Sequence, residues 1–343
     1  MRIFITDCEG PISKNDNALE LAAHYVPQGE RFFSVLSAYD DYLAYVEKRA
    51  GYKAGDTLRL ILPFLKAFGA TDKGIEEFSK ENILLIPGAP ETLRLIRKRM
   101  PAYIISTSYA PYIQALCEVT GFPFEATYCT ALTLDQYDLP KKEARALRAA
   151  ASEIVLMPLI EWGEGATGLA DLSDSGRKAV ERLHRLFWKE IAQMQINRVI
   201  EEVDPIGGAA KAAAVRDVLK KTKGDFSDVM YVGDSITDLA ALEMVKQGGG
   251  LAVSFNGNAY AIQGAKVACV GKDTGIITRV AARFAEGGTT GVMAELPRAG
   301  KGASHLGSDA EIGEITPETL PRWIEQSQQF RKEVRGVSIG SLG

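Results

Sequence analysis

The chain has 343 residues, enough for about two domains at the usual ~150 residues each and for a large apolar core. Charged residues make up 24% and the net charge is −4, which leaves no electrostatic footprint for nucleic acid or an anionic membrane. The four cysteines, at positions 8, 117, 129 and 269, show neither paired metal spacing nor the density of a disulfide framework, and they predict a reducing, cytoplasmic setting. Neither a signal peptide nor a run of ~18 uncharged apolar residues is visible, so no membrane partner is expected.

In chain order, Ile3, Phe4 and Ile5 read as a short buried strand, and Asp7 stands where that strand hands over to a turn at Gly10 and Pro11. Taken alone, Asp7 reads better as a helix cap. Residues 17–25 read as a helix, and the chain stays helical to about residue 82, with apolar spacings such as Leu58, Ile61, Leu62, Leu65 and Phe68. About seventy residues of helix exceed a single crossover, so they form an inserted module. Pro63 predicts a kink or break within it. Pro87, Gly88 and Pro90 mark a re-entry, followed by a helix over 91–99 and a strand over 102–105, the rhythm of a parallel sheet. Ser106, Thr107 and Ser108 then precede a helix over 112–119, as caps or as an anion site.

Residues 121–127 read as a third strand, and 128–204 as a second, mainly helical insertion, with helices over 141–154 and 175–203. Val180, Leu183, Phe187, Ile191 and Met194 form a stripe on the latter, which reads as core or packing seam, with a docking face for a partner or a second copy as the alternative. A helix over 209–221 carries Lys211 near its start, and the strand 229–232 ends on Gly233-Asp234-Ser235-Ile236-Thr237-Asp238. Two further strands, 249–255 and 266–270, lead to a helix over 274–285. The composition of 287–313 predicts a mobile linker, and 317–334 a final helix with no visible chemistry. His24, His184 and His305 read as surface or packing residues.

Asp7 with Glu9, Ser106, Lys211, and Asp234 with Asp238 each follow an apolar run or open a helix. Clustered carboxylates repel one another unless a cation compensates, and hard oxygen ligands left partly hydrated favour Mg²⁺. A cation, a lysine and a hydroxyl beside helix N-termini meet the needs of a phosphate dianion.

In type and order these residues resemble the four motifs of the haloacid dehalogenase superfamily: Asp7-Cys8-Glu9-Gly10, Ser106, Lys211, and Gly233 to Asp238. The similarity is greatest to the phosphoserine phosphatase-like branch, which has a helical cap directly after the first motif. It implies an α/β fold: a three-layer Rossmann-like core with a parallel sheet over 1–12, 87–127 and 205–287, and a helical cap over 13–86. The insertion 128–204 and the linker and helix of 288–343 have no counterpart in it. The resemblance implies a Mg²⁺-dependent phosphatase acting on a small phosphorylated metabolite. Asp7 would be the nucleophile, Glu9 the acid and base, and Lys211 the neutralising cation. Ser106 would bind phosphoryl oxygens, with Thr107 beside it. Mg²⁺ would lie on Asp7, the carbonyl of Glu9 and Asp234, with Asp238 supporting or ligating it. Asp16 falls where that branch often places an acid for a substrate amine, and it reads equally as a helix N-cap. Glu9 stands where the superfamily usually has Asp, and Thr107 and Ser108 stand where the branch has two glycines. A phosphotransferase and a non-catalytic accessory subunit of a larger complex are the alternative functions.

Overall fold

The computed structural model describes residues 1–163, 165–296, 304–305 and 310–336. The opening apolar run becomes strand β1 (Ile3–Thr6), and the first insertion holds α1 (Asn17–Tyr25), α2 (Gly29–Asp41), α3 (Thr57–Ala67) and α4 (Asp72–Glu81). The chain re-enters through α5 (Ala89–Arg97), β2 (Ala102–Tyr109), α6 (Ala110–Thr120) and β3 (Thr127–Thr130). The second insertion contributes α7 (Lys141–Val155), α8 (Asp174–Arg185) and α9 (Asn197–Glu202). Then come α10 (Ala209–Thr222), β4 (Val229–Gly233), α11 (Leu239–Gln247), β5 (Leu251–Phe255), α12 (Ala259–Gly264), β6 (Val267–Gly271) and α13 (Gly275–Glu295). Two antiparallel strands, β7 (Ser304–His305) and β8 (Ala310–Glu314), precede the final helix α14 (Leu320–Arg335).

The strands form one sheet in the order β3-β2-β1-β4-β5-β6-β8-β7, parallel from β3 through β6. Parallel strands need crossovers, and these helices cover both faces, so the fold is α/β. Side chains alternate between faces along β1: Ile3 and Ile5 pack with residues of α10 and α11, whereas Phe4 packs with α5, α6 and α13. Strand order reverses between β1 and β4, which pair in register from Ile3 with Val229 to Thr6 with Val232. A crevice therefore opens beyond their carboxyl ends, where α/β sheets bind ligands.

The helices of both insertions fill one apolar core, in which Phe32, Phe64, Leu147, Leu183 and Phe187 are all buried. Val180, Leu183, Phe187 and Ile191 point into this core. The helix expected over 175–203 is broken: α8 ends in a π turn over Leu186–Glu190 and a 3₁₀ turn over Ile191–Gln193 before α9. Helix α3 runs through Pro63 without a break. The strand expected over 121–127 begins at Thr127, because Gly121 (φ 68°) ends α6 in a left-handed cap and a 3₁₀ turn follows.

The segment expected to be a linker is structured over much of its length. Helix α13 kinks at the non-helical Gly288 (φ 60°) and resumes to Glu295, and β8 pairs antiparallel with β6; the residues 297–303 and 306–309 lie outside the described residues. Helix α14 starts three residues later than its cap signal suggests and lies against β6 and α12. Its buried face is Trp323, Ser327 and Arg331, at a spacing of four. Trp323 is fully packed, its Nε1 donates to the Glu314 carbonyl at 3.3 Å, and a Cβ at Gly313 would fall 2.6 Å from its ring. This one aromatic anchors the helix, so Trp323→Ala should cost about 3–5 kcal/mol, read as a lowered urea midpoint.

Candidate active site

Asp7 emerges from β1 with its backbone N–H on the Val232 carbonyl at 2.8 Å, so the sheet ladder itself sets its position. The Cys8 N–H donates to Oδ1 at 2.7 Å, and the Lys211 ammonium to Oδ2 at 2.5 Å. Lys211 projects from the first turn of α10 and is completely buried. Its second acceptor is Asp238 Oδ1 at 2.7 Å. Burial works against the charge of Lys211, but Asp238 and Asp7 outweigh it and hold the ammonium protonated. For Asp7, burial and then Asp238 push the carboxyl well above its usual range, against the pull of Lys211. Asp238 moves the other way: it is fully desolvated, yet Lys211 keeps it ionised. It also accepts from Tyr231 Oη at 2.8 Å and from the N–H groups of Asp234 and Ser235 at 3.0 and 3.1 Å. With a longer contact from Ser235 Oγ at 3.4 Å, both oxygens of Asp238 are heavily used in holding its neighbours in place.

Asp234, at the end of β4, faces a partner that sequence reasoning missed. Arg331 of α14 donates through Nη1 to the Asp234 carbonyl at 3.1 Å and to its carboxylate, and Arg335 Nη1 reaches the same Oδ2 at 3.0 Å. Arg335 also ties down the loop after β1, through Nε to the Lys14 carbonyl at 3.0 Å and Nη2 to that of Asn15. Both arginine side chains are only 5% exposed. The final helix therefore brings two cations to the crevice. The available signal was spacing: Arg331 and Arg335 continue the Trp323 and Ser327 face. Gly10 (φ +95°) lets this corner close, since a Cβ there would fall 2.2 Å from Asp234 Cγ.

The other expected residues gather at the same crevice. The half-buried Glu9 accepts from the Asn17 N–H at 2.7 Å, and burial, then Asp16, pushes its carboxyl up to about 8. Asp16 is the N-cap of α1, accepting from the Leu19 N–H at 3.0 Å, and it also lines the cavity. Ser106 is buried beneath the surface of the crevice, its hydroxyl 3.0 Å from that of Ser108. Thr107 and Ser108 line the cavity, and Thr107 Oγ1 donates to the Ile206 carbonyl at 3.1 Å. The cavity, about 110 Å³, is walled by Asp7, Glu9 and Asp234 from the sheet, by Phe33, Asp40, Asp41 and Leu58 from the first insertion, and by Arg331 and Arg335.

One ligand oxygen each from Asp7, Asp234 and Asp238 can be chosen so that all lie within 4.8 Å of one another, and all three residues are buried. An all-oxygen donor set of this kind fits a hard divalent cation. Asp7 and Asp234 carry fewer competing hydrogen bonds than Asp238.

No protein-family model and no curated protein sequence matches the chain. Among solved structures, gene product AF1437 from Archaeoglobus fulgidus is similar over 100% of this chain and 99% of its own, at 28% identity and a TM-score of 0.83. The two chains share one architecture from end to end. A substrate-bound phosphoserine phosphatase complex overlaps 81% of this chain and 97% of its own, at 15% identity and a TM-score of 0.45. A phospho-aspartyl intermediate analogue of phosphoserine phosphatase covers the same shares at 14% identity and 0.46. Overlaps this loose carry no function across. No helix among the described residues is long and apolar enough to cross a membrane.

The cavity wall has a measurable pH signature. Burial pushes the Asp40 carboxyl up to about 7, against about 3.9 in an unfolded chain. The folded protein thus keeps a proton that the unfolded chain releases, and stability falls as pH rises between those two values. Asp40→Asn, which can still accept the Gly55 N–H that now meets Asp40 at 2.9 Å, should flatten the change in urea midpoint between about pH 5 and pH 7.

Proposed function

We propose that the protein is a phosphomonoester hydrolase of the haloacid dehalogenase type, acting on a small phosphorylated metabolite through an aspartyl-phosphate on Asp7. The observation that carries this reading is the buried Lys211 ammonium, bridging Asp7 at 2.5 Å and Asp238 at 2.7 Å beyond the carboxyl ends of β1 and β4. A carboxylate oriented by a backbone N–H and a buried cation is set up to attack an electrophile that is itself an anion. The cation lowers the repulsion between nucleophile and phosphoryl group.

In the first step a carboxylate oxygen of Asp7 bonds to phosphorus as the ester P–O bond breaks. The departing oxygen takes the proton of Glu9, whose raised pKa of about 8 keeps it protonated at neutral pH. Glu9, now ionised, removes a proton from water as that water attacks phosphorus, releasing phosphate and restoring Asp7. Ser108 at the cavity surface would donate to the phosphoryl oxygens, and Ser106 and Thr107 would join it by turning their hydroxyls away from Ser108 and the Ile206 carbonyl. Asp7, Asp234 and the carbonyl of Glu9 would hold Mg²⁺, which when bound supplies positive charge beside the phosphoryl oxygens. Asp238 keeps Lys211 and the Asp234 backbone in place.

The test is phosphate release from a panel of phosphorylated metabolites. Turnover should vanish with a chelator and return with Mg²⁺. Asp7→Asn should lower kcat by at least about a thousandfold, on the scale of losing a nucleophile. Release that survives in that variant would remove Asp7 from the mechanism.

A further inference from the structure

The proposed chemistry accounts for Asp7, Glu9, Lys211, Asp234 and Asp238, but it leaves two buried guanidinium groups at the cavity wall without a task. The two differ in how fully they are used. Arg335 spreads its donors over the Asp234 carboxylate and the carbonyls of Lys14 and Asn15, which makes it a strut between α14 and the loop after β1. Arg331 commits only Nη1, to the carbonyl and carboxylate of Asp234. Its Nε is buried with no acceptor, and among the described residues nothing accepts from Nη2. An unmet buried donor on a charged group is costly, so a side chain held this way calls for an acceptor that arrives from outside.

The free donors define that acceptor. Nε and Nη2 lie along one edge of the guanidinium plane and present two parallel N–H groups, the geometry that pairs with both oxygens of a carboxylate or two of a phosphate. Among the described residues the cations lining the cavity are Arg331 and Arg335, while the opposite wall presents Asp40 and Asp41. Asp40 is held by the Gly55 N–H at 2.9 Å and so remains on that wall. A second negative group on a ligand therefore finds its cations on α14, and the insertion side offers it none.

We propose that Arg331 is a substrate-binding residue, and that the substrate is a phosphomonoester whose leaving group carries a second anionic group, received on the Nε–Nη2 edge of Arg331. This rests on the phosphatase reading and narrows it to one class of ester. No bond is made or broken at Arg331; it binds and orients.

Two probes of equal chain length separate the possibilities: phosphoglycolate, which carries a carboxylate, and ethyl phosphate, which does not. Their kcat/KM values are measured with Mg²⁺ on the full chain, and their binding is measured on the Asp7→Asn protein. Phosphoglycolate should be preferred by about ten- to a hundredfold in both, the range for a charged hydrogen-bonded pair. Arg331→Gln should bring the ratio of the two esters close to one, whatever the absolute rates become, and Arg331→Lys should restore part of it. Equal use and equal binding of the two esters by the Arg331 protein would overturn the proposal, as would a preference that persists in Arg331→Gln. A binding preference without turnover of any ester would uphold the subsite and count against the hydrolase.

Discussion

A single buried ammonium sets the terms for the whole site. Lys211 has no exposed surface, and an ammonium taken out of water survives only if carboxylates meet it at close range. Asp7 does so from the end of β1 and Asp238 from the 3₁₀ turn (Ile236–Asp238) that follows β4, while Tyr231 and two backbone N–H groups hold Asp238 in turn. The register of β1 against β4, the placement of α10 and the 3₁₀ turn after β4 are all fixed relative to that one nitrogen. Removing both carboxylates would leave the buried ammonium uncompensated, which costs far more than either bond contributes.

The charges around it balance in a way that suits the proposed reaction. Asp7, Asp234 and Asp238 face Lys211, Arg331 and Arg335, one carboxylate per side-chain cation. In the proposed reaction a divalent ion beside these groups would add two positive charges and favour the ionised form of Asp7, and a phosphoryl dianion would offset them. Ion and phosphate are thus matched to each other more than either is matched to the protein alone, so each favours the other's entry.

Much of this was legible in the sequence, and the physical reason is local. Asp7 and Asp234 each follow a run of apolar residues that could only be a buried strand, and Lys211 opens a helix beside them, so their types and order announced a shared crevice. Strand pairing was not legible, because nothing in β1 names β4 as its neighbour. Arg331 and Arg335 were missed because arginines four apart on a helix usually mark a wet face; what reverses that reading is Trp323 on the same face, docked against Gly313. The break at 186–193 escaped notice for a related reason. An apolar stripe keeps nearly the same period through a π turn, so periodicity alone does not reveal where a helix changes its winding.

The fusion of the two insertions into one apolar core bears on how substrate gets in. Because both segments leave the sheet and come back, the chain passes between the two bodies at four places. Side chains gather these into two knots. Asn15 binds the Asn82 carbonyl and the Leu84 N–H at one, and Thr130 and Thr107 bind the N–H and carbonyl of Ile206 at the other. Two fixed points define a line. An opening of the helical body that kept both knots tied would be a rotation about the axis joining them, and Thr107 belongs both to one knot and to the cavity wall.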